Sequence, residues 1–474
     1  MKDLWKFIKS SGVYFVGTVL TKLISFLLLP MYTSYISPQD YGVYDLYNAY
    51  VMFLCSVLFL DIWAGIMRFM FDYSGEERKK PISSGIAIFL ISCSLYTVIV
   101  VVAGPMLHIK YLGWLFLYGI LMNTQTLVGY IARGYGKNVL YTGAGLLGSV
   151  TTIAFNIILL VYFKMDFSAL FIASCIGFIA NILCILIGIK EPKVFSLRNF
   201  DKKVFKEILI FSLPLCLNSV AYWFLTSYNR IVVANQLGDA ANGYYAIAGR
   251  FGSMITLFTT CFQMAWQELA YSKSAKENDL NDFYTVATNS YVKTMGAGLI
   301  VLIPVIYIIY PIMINNSYDV GKELVPVYLL GTIFSTISSF LGNSISAIKK
   351  NKLLFWTMLS GSVVNVVVVH TLTPVIGLQA SNISLMLGFL TICITRIIVL
   401  RKEVELKLEY RNVLILVAGF AVVEYIYQNG DIWKNILAFV IAIAVSVYVF
   451  WDIIIVMKDK LLDARNDRLQ RMGK

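Results

Sequence analysis

The sequence predicts an all-α polytopic membrane protein of about fourteen transmembrane helices, arranged as two pseudo-symmetric six-helix bundles followed by two further helices. Three observations predict it: apolar runs of bilayer length along almost the whole chain, Lys and Arg crowded into every second break, and a short internal repeat across a basic break near the middle. Composition agrees, because 58% hydrophobic residues, 14% charged residues and a mean hydropathy of +0.74 leave far more apolar surface than one soluble core could cover.

A hydrocarbon core of about 30 Å takes roughly 20 helical residues. The runs that meet this length are 11–35, 41–67, 82–106, 111–133, 139–163, 167–189, 205–236, 241–272, 283–314, 323–348, 353–374, 377–400, 411–428 and 432–456. The first run has full span length and no small-residue cleavage site, so it is expected to stay as the first helix. The domain organisation follows: a bundle over 1–190, a basic cytoplasmic hinge over 191–204, a second bundle over 205–402, helices 13 and 14 over 403–456, and a basic tail over 457–474.

Of the 39 Lys and Arg residues, thirty fall at the chain ends and in alternate breaks, and four (Lys110, Lys164, Lys322 and Lys434) in the other breaks. Basic flanks are retained in the cytoplasm, so both termini are predicted to be cytoplasmic. The net charge of +12 is then a matter of topology and calls for no nucleic acid. The seven cysteines all lie in apolar runs without CxxC spacing, and the two histidines fit no ligand pattern, so no metal site or cofactor is expected. The breaks are too short for a nucleotide-binding domain or a large catalytic outer loop, and no phosphate-binding GxxxxGK[ST] loop occurs. Transport is favoured over catalysis, and the chain is expected not to be an enzyme.

Duplicated bundles with the substrate between them are common among secondary transporters. Here YISPQDYGVYDLYNAY (35–50) aligns with NQLGDAANGYYAIAGRF (235–251), placing Gly42 and Tyr44 on Gly243 and Tyr245. Each stretch leads from a short outer break into an aromatic-rich, even-numbered span.

These residues also carry a family resemblance. LPMYTSYISPQDYGVYDL (29–46) resembles the first-to-second-helix signature of bacterial polysaccharide flippases, the Wzx-type members of the multidrug/oligosaccharidyl-lipid/polysaccharide (MOP) exporter superfamily. SYNRIVVANQLGDAANGYYAIAGRF (227–251) is similar to their seventh-to-eighth-helix segment. The resemblance implies a MOP, MATE-like fold. It also implies movement of a polyprenyl-diphosphate-linked oligosaccharide repeat unit from the inner to the outer leaflet, for O-antigen, capsule or another exopolysaccharide, with the polymerase and glycosyltransferases of the same pathway as partners. The chain departs from the family where Asn229-Arg230 stands in place of Asp-Arg, which removes a local counter-ion, and at Ser34, where the family often has a basic residue.

Independently of the resemblance, five cations remain inside predicted spans: Lys22, Arg230, Arg250, Lys293 and Arg396. A charge near mid-bilayer normally faces water or a partner, so these residues are candidates to line a cavity for an anion. Lys22, Arg250, Lys293 and Arg230 are the candidate diphosphate ligands, with Arg forks and Lys point charges suited to its oxygens. Arg230 and Arg396, nearer the ends of their spans, have snorkelling to the interface as an alternative. Asp45, Asp61 and Glu268 are the candidate partners. Asp61 and Glu268 are either ion-coupling groups or salt-bridge partners, Asp61 most simply of Lys22, and transport could draw on Na+, H+ or the membrane potential. For the sugar, Tyr41, Tyr44, Asn48, Tyr228, Asn229 and Tyr245 are candidates, with an interfacial aromatic belt as the alternative. Two other functions stay open: a flippase for the peptidoglycan lipid precursor, and a cation-coupled exporter of drugs or other small molecules. Buried cations have the wrong sign for the cationic drugs usual among drug-exporting relatives.

Overall fold

The computed structural model describes residues 26–190, 197–274, 281–350 and 352–451. In the first half lie α1 (Leu29–Tyr35), α2 (Pro38–Phe59), α3 (Ile62–Met70), α4 (Lys79–Met106), α5 (Leu112–Gly134), α6 (Asn138–Ile157) and α7 (Ser168–Ile189). In the second half lie α8 (Lys202–Thr226), α9 (Tyr228–Leu237), α10 (Asp239–Ser274), α11 (Asn281–Met313), α12 (Val325–Ala347), α13 (Lys352–Ile376) and α14 (Gln379–Val404), followed by α15 (Tyr410–Asn429) and α16 (Ile432–Val449). Twelve helical stretches among the described residues are long and apolar enough to cross a membrane. The 36-residue α10 is not one of the twelve, since it carries Arg250 and many hydroxyl and amide side chains. Of the predicted span 11–35, only the part from residue 26 is described.

Local chemistry places the helix ends. Ser37 caps α2 by accepting a bond from the Asp40 amide (3.1 Å), with Pro38 at the first helical position. Asp201 caps α8 through the amides of Lys203 and Val204, and Asp431 caps α16 through Lys434. Two of the predicted spans are broken. The run 41–67 divides at Leu60 and Asp61, both left-handed (φ 55° and 52°). A helix break inside a membrane must find partners for the backbone groups it frees. Cys216 and Ser92 supply them, donating to the carbonyls of Ser56 (3.3 Å) and Leu58 (2.7 Å). The run 205–236 divides at Ser227, where the carbonyls of Phe224 and Thr226 accept bonds from Asn365 (2.9 Å) and Arg230 (2.7 Å).

In the first half α7 packs against α5 and α6, and in the second α14 packs against α12 and α13. Helix α10 lies along both α2 and α12, and so joins the halves, while α15 and α16 dock on α11. Breaks that the charge pattern assigns to one side gather at one end: the Lys110 amide donates to Tyr47, the Tyr318 hydroxyl to the Ile36 carbonyl, and the Asn315 amide to Thr33. At the opposite, basic end the Asp201 amide donates to Ser84, Lys350 pairs with Glu403 (3.1 Å), and Asn289 donates to the Lys407 carbonyl.

Candidate functional site

The aligned glycines of the repeat meet face to face. A Cβ added to Gly42 would lie 1.8 Å from the Asp239 carbonyl oxygen, and one added to Gly243 would lie 2.0 Å from that of Pro38. In each case the oxygen belongs to the residue four positions before the other glycine, so the crossing of α2 and α10 is reciprocal. Asn242 fastens it by donating to the Gly42 carbonyl (2.8 Å). No residue larger than glycine lets the two backbones approach this closely.

Next to this crossing lies a cavity of about 350 Å³, bounded by α2, α8, α9, α10, α12 and α14. Among the described residues its charged lining is Asp45, Arg230 and Arg250. Arg230 is turned inward by the break at Ser227, and its Nε donates to Asp45 Oδ2 at 2.5 Å across the two halves. Arg250 has no such partner recorded among the described residues. Its Nε donates to the Tyr41 hydroxyl (2.8 Å), and its guanidinium lies 5.7 Å from the centre of the same ring. Two guanidiniums against one carboxylate leave the lining with one unbalanced positive charge. Tyr328, Thr332 and Ser335 of α12 and Ser253 and Thr256 of α10 add hydroxyls. Room for the Tyr328 ring comes from Gly249 and Gly252, where a Cβ would approach it to 3.0 and 2.7 Å.

Of the residues singled out from sequence, Arg230, Arg250 and Asn48 line this cavity, and Asn48 Oδ1 accepts from Tyr118 (3.1 Å). Tyr41 and Tyr245 stand behind it, fully buried, with the Tyr245 ring 5.8 Å from the Arg230 guanidinium. Tyr44 packs on Phe171 (4.8 Å between centroids), and Tyr228 shares a hydrogen bond with His370 (2.9 Å). Asn229 is fully buried in a network with Asn365, Ser384 and the Ser381 carbonyl, where it ties α9 to α13 and α14. That network puts its amide out of reach of the cavity.

Lys293 is elsewhere, paired with Glu409 Oε2 at 2.5 Å where α11 meets the start of α15. Glu409, outside the spans, is held below the usual carboxylate range, first by the Lys293 hydrogen bond, against burial. Asp61 accepts a bond from Ser219 (2.5 Å). Lys22 and the side chain of Glu268 lie outside the described residues. Arg396 does not reach an interface: it is buried among α12, α13 and α14. Sequence reading did not find Tyr328, Thr332 or Ser335, because hydroxyls on an apolar helix carry no signal until the partner face is known. It did have Asp45, but as a partner for other cations and not for Arg230.

The comparisons with known proteins agree with this architecture. A protein of the Lsg locus of Haemophilus influenzae is 22% identical over 361 residues, covering 74% of this chain and 87% of that protein. Among solved structures, that of the lipid II flippase MurJ in an inward closed conformation superposes with a TM-score of 0.70 at 18% identity, covering 94% of this chain and all of that one. An inward-facing multidrug resistance MATE family transporter of the MOP superfamily follows at 0.67 and 13% identity, over 83% of this chain and 94% of that one. The family model described as polysaccharide biosynthesis protein matches residues 7–267, more than half of the sequence. The chain therefore belongs to the polysaccharide biosynthesis protein family and has the MOP-superfamily fold.

Proposed function

We propose that this membrane transporter is a flippase that carries a polyprenyl-diphosphate-linked oligosaccharide repeat unit from the inner to the outer leaflet of a bacterial plasma membrane. The observation that carries the reading is Arg250, a half-buried guanidinium in a cavity between the halves, held by a tyrosine hydroxyl and ring in place of a carboxylate. Guanidinium donors satisfy phosphate oxygens in a fork, and the surplus positive charge of the lining suits a diphosphate. Arg230 is a second ligand, released when a phosphate oxygen replaces Asp45. Lys22 is kept as a further ligand on sequence grounds. The polar rim of Asn48, Tyr328 and the α12 hydroxyls suits the first sugars.

The crossing at Gly42 and Gly243 closes one end of the cavity, which the distribution of Lys and Arg assigns to the outer side, with both termini cytoplasmic. Transport proceeds by rocking of the halves: the crossing opens, the opposite end closes, and the polyprenyl tail stays in lipid throughout. An inside-negative potential favours carrying an anion outward by about 2.3 kcal/mol per charge per 100 mV. Asp61, at the break between α2 and α3 beside Ser219, is either a salt-bridge partner of Lys22 or a site where a proton or Na+ binds and returns. The polymerase and glycosyltransferases of the pathway consume the product and make the substrate.

Replacing Lys22 and Arg250 together with Gln should abolish export of the surface polymer at normal protein levels. Full export by that variant would sink the cationic-cavity reading. A peptidoglycan precursor shares the diphosphate and differs in headgroup, so loss of surface polysaccharide with normal cell-wall synthesis separates the two. A drug exporter would instead show as sensitivity to cationic dyes on deletion, with the surface polymer intact.

A further inference from the structure

Arg396 takes no part in the central cavity, and its surroundings are those of a second binding site. Its side chain is 4% exposed; Nε donates to Thr357 Oγ1 (3.1 Å) and Nη1 to the Ser338 carbonyl. Glycine makes the seat, since a Cβ on Gly342 would lie 2.7 Å from Nη1. No carboxylate is recorded as pairing with it among the described residues. The named bonds use two of the five N–H donors of a guanidinium, and a buried cation without a counter-ion is costly unless an anion reaches it.

An anion can reach it. Arg396 borders a cavity of about 900 Å³ among α8, α10, α12, α13 and α14 that is also lined by Asn218, Gln263, Asn343 and Lys352, with no Asp or Glu among the described residues of its wall. Lys352 is exposed, at the basic end of the bundle. Two apolar residues of the wall, Leu217 and Phe355, also line a neighbouring groove of about 340 Å³ between α8 and α13, which continues along Val220, Phe224, Leu359 and Val363. On the other side, α12 carries a polar stripe at helical spacing: Thr332 and Ser335 face the central cavity, and Ser339, Asn343 and Ser346 face this one. The second site therefore has a chamber with Arg396, Lys352 and amides beside apolar residues such as Leu215, Leu354 and Met358, an adjoining apolar groove, and a polar stripe on α12 that also faces the central cavity.

We propose that this is an antechamber that binds the diphosphate head of a single-chain isoprenoid lipid at Arg396 and Lys352, with its tail in the α8–α13 groove, before the head passes along α12 to Arg250. The proposal rests on the flippase reading above. One apolar channel between two helix faces takes one chain, which favours an isoprenoid over a two-tailed phospholipid. The amide-lined chamber has room for sugar beside the phosphates.

The test uses the full-length protein in nanodiscs of phosphatidylcholine, with a photoreactive polyprenyl diphosphate as probe. Wild type should cross-link within 355–367, and the cross-link should persist in Arg250→Gln. Affinity should fall about tenfold or more in Arg396→Gln and in Lys352→Glu, as expected for the loss of a charge-assisted contact. Lys352 is exposed, so its variant folds even where the buried Arg396 variant does not. Excess phosphatidylglycerol or inorganic pyrophosphate should not displace the probe. Unchanged affinity in Lys352→Glu together with unchanged affinity in a folded Arg396→Gln would overturn the antechamber. So would equal competition by phosphatidylglycerol, which would make this an anionic phospholipid site, or by pyrophosphate, which would make the tail irrelevant. A cross-link lost in Arg250→Gln and kept in Arg396→Gln would overturn it while leaving the central reading intact. Export untouched by Arg250→Gln would instead count against the central reading.

Discussion

Two neighbouring regions of the α2–α10 pair are built in opposite ways. At one end Gly42 and Gly243 bring bare backbone against bare backbone, with carbonyl oxygens where side chains would stand. One to two turns further along the same helices, Asp45 and Arg250 face a polar cavity. The first region gains its contact from what its residues lack, the second from charge that needs a partner. In the proposed transport cycle the closed end must separate for passage, whereas the cavity serves in every state.

Substitutions should sharpen that contrast in a definite order. Gly42→Val should have the largest effect: its side chain would meet the Asp239 carbonyl, the closed end could not form, and export should vanish while the protein still reaches the membrane. Cysteine pairs placed across the crossing should cross-link in the parent and fail to do so in this variant. Arg250→Gln comes next, leaving the crossing closed but reducing affinity for a diphosphate by about tenfold to a hundredfold, the range for losing hydrogen bonds from a charged donor. Asp45→Asn should act in the opposite sense on binding. With both guanidiniums uncompensated, the diphosphate should bind more tightly and turnover should slow, measured as a lower Kd with a lower flipping rate. The variant should also lose some thermal stability, because removing one member of a buried pair leaves the other charge without its partner.

Glu409→Gln should have the smallest effect, since the Lys293–Glu409 pair lies away from the cavity and Glu409 is half exposed. Its consequence is pH dependence of stability. A carboxylate with a lowered value in the folded state stabilises the fold above its unfolded value, and that contribution is lost as pH falls through the folded value. Melting temperatures of the parent and Glu409→Gln should therefore differ at neutral pH and converge in acid, with transport unaffected.

Much of the fold was legible in the sequence because lipid imposes a length on every apolar run and charge marks the ends. The breaks at Leu60 and Ser227 were not. Neither has Pro or Gly, and both depend on donors from distant helices, such as Cys216 and Asn365, to take the freed carbonyls. The repeat exposed Gly42 and Gly243 as equivalent, but not that they touch. The sequence placed five cations inside spans; Lys22 lies outside the described residues, and the sorting of the other four was not legible. Asp45 is 185 residues from Arg230, and Glu409 lies in a break that periodicity cannot place against Lys293. The burial of Arg396 depends on Gly342, a residue that looks ordinary until the guanidinium is seen beside it.

The central claim is that Arg250 binds the diphosphate during translocation. Its most direct test is the flipping of a polyprenyl-diphosphate oligosaccharide in proteoliposomes containing the parent, Arg250→Lys or Arg250→Gln. The account predicts near-complete loss in the Gln variant and partial recovery with Lys, which keeps the charge but loses the fork. Equal flipping by all three proteins would contradict it.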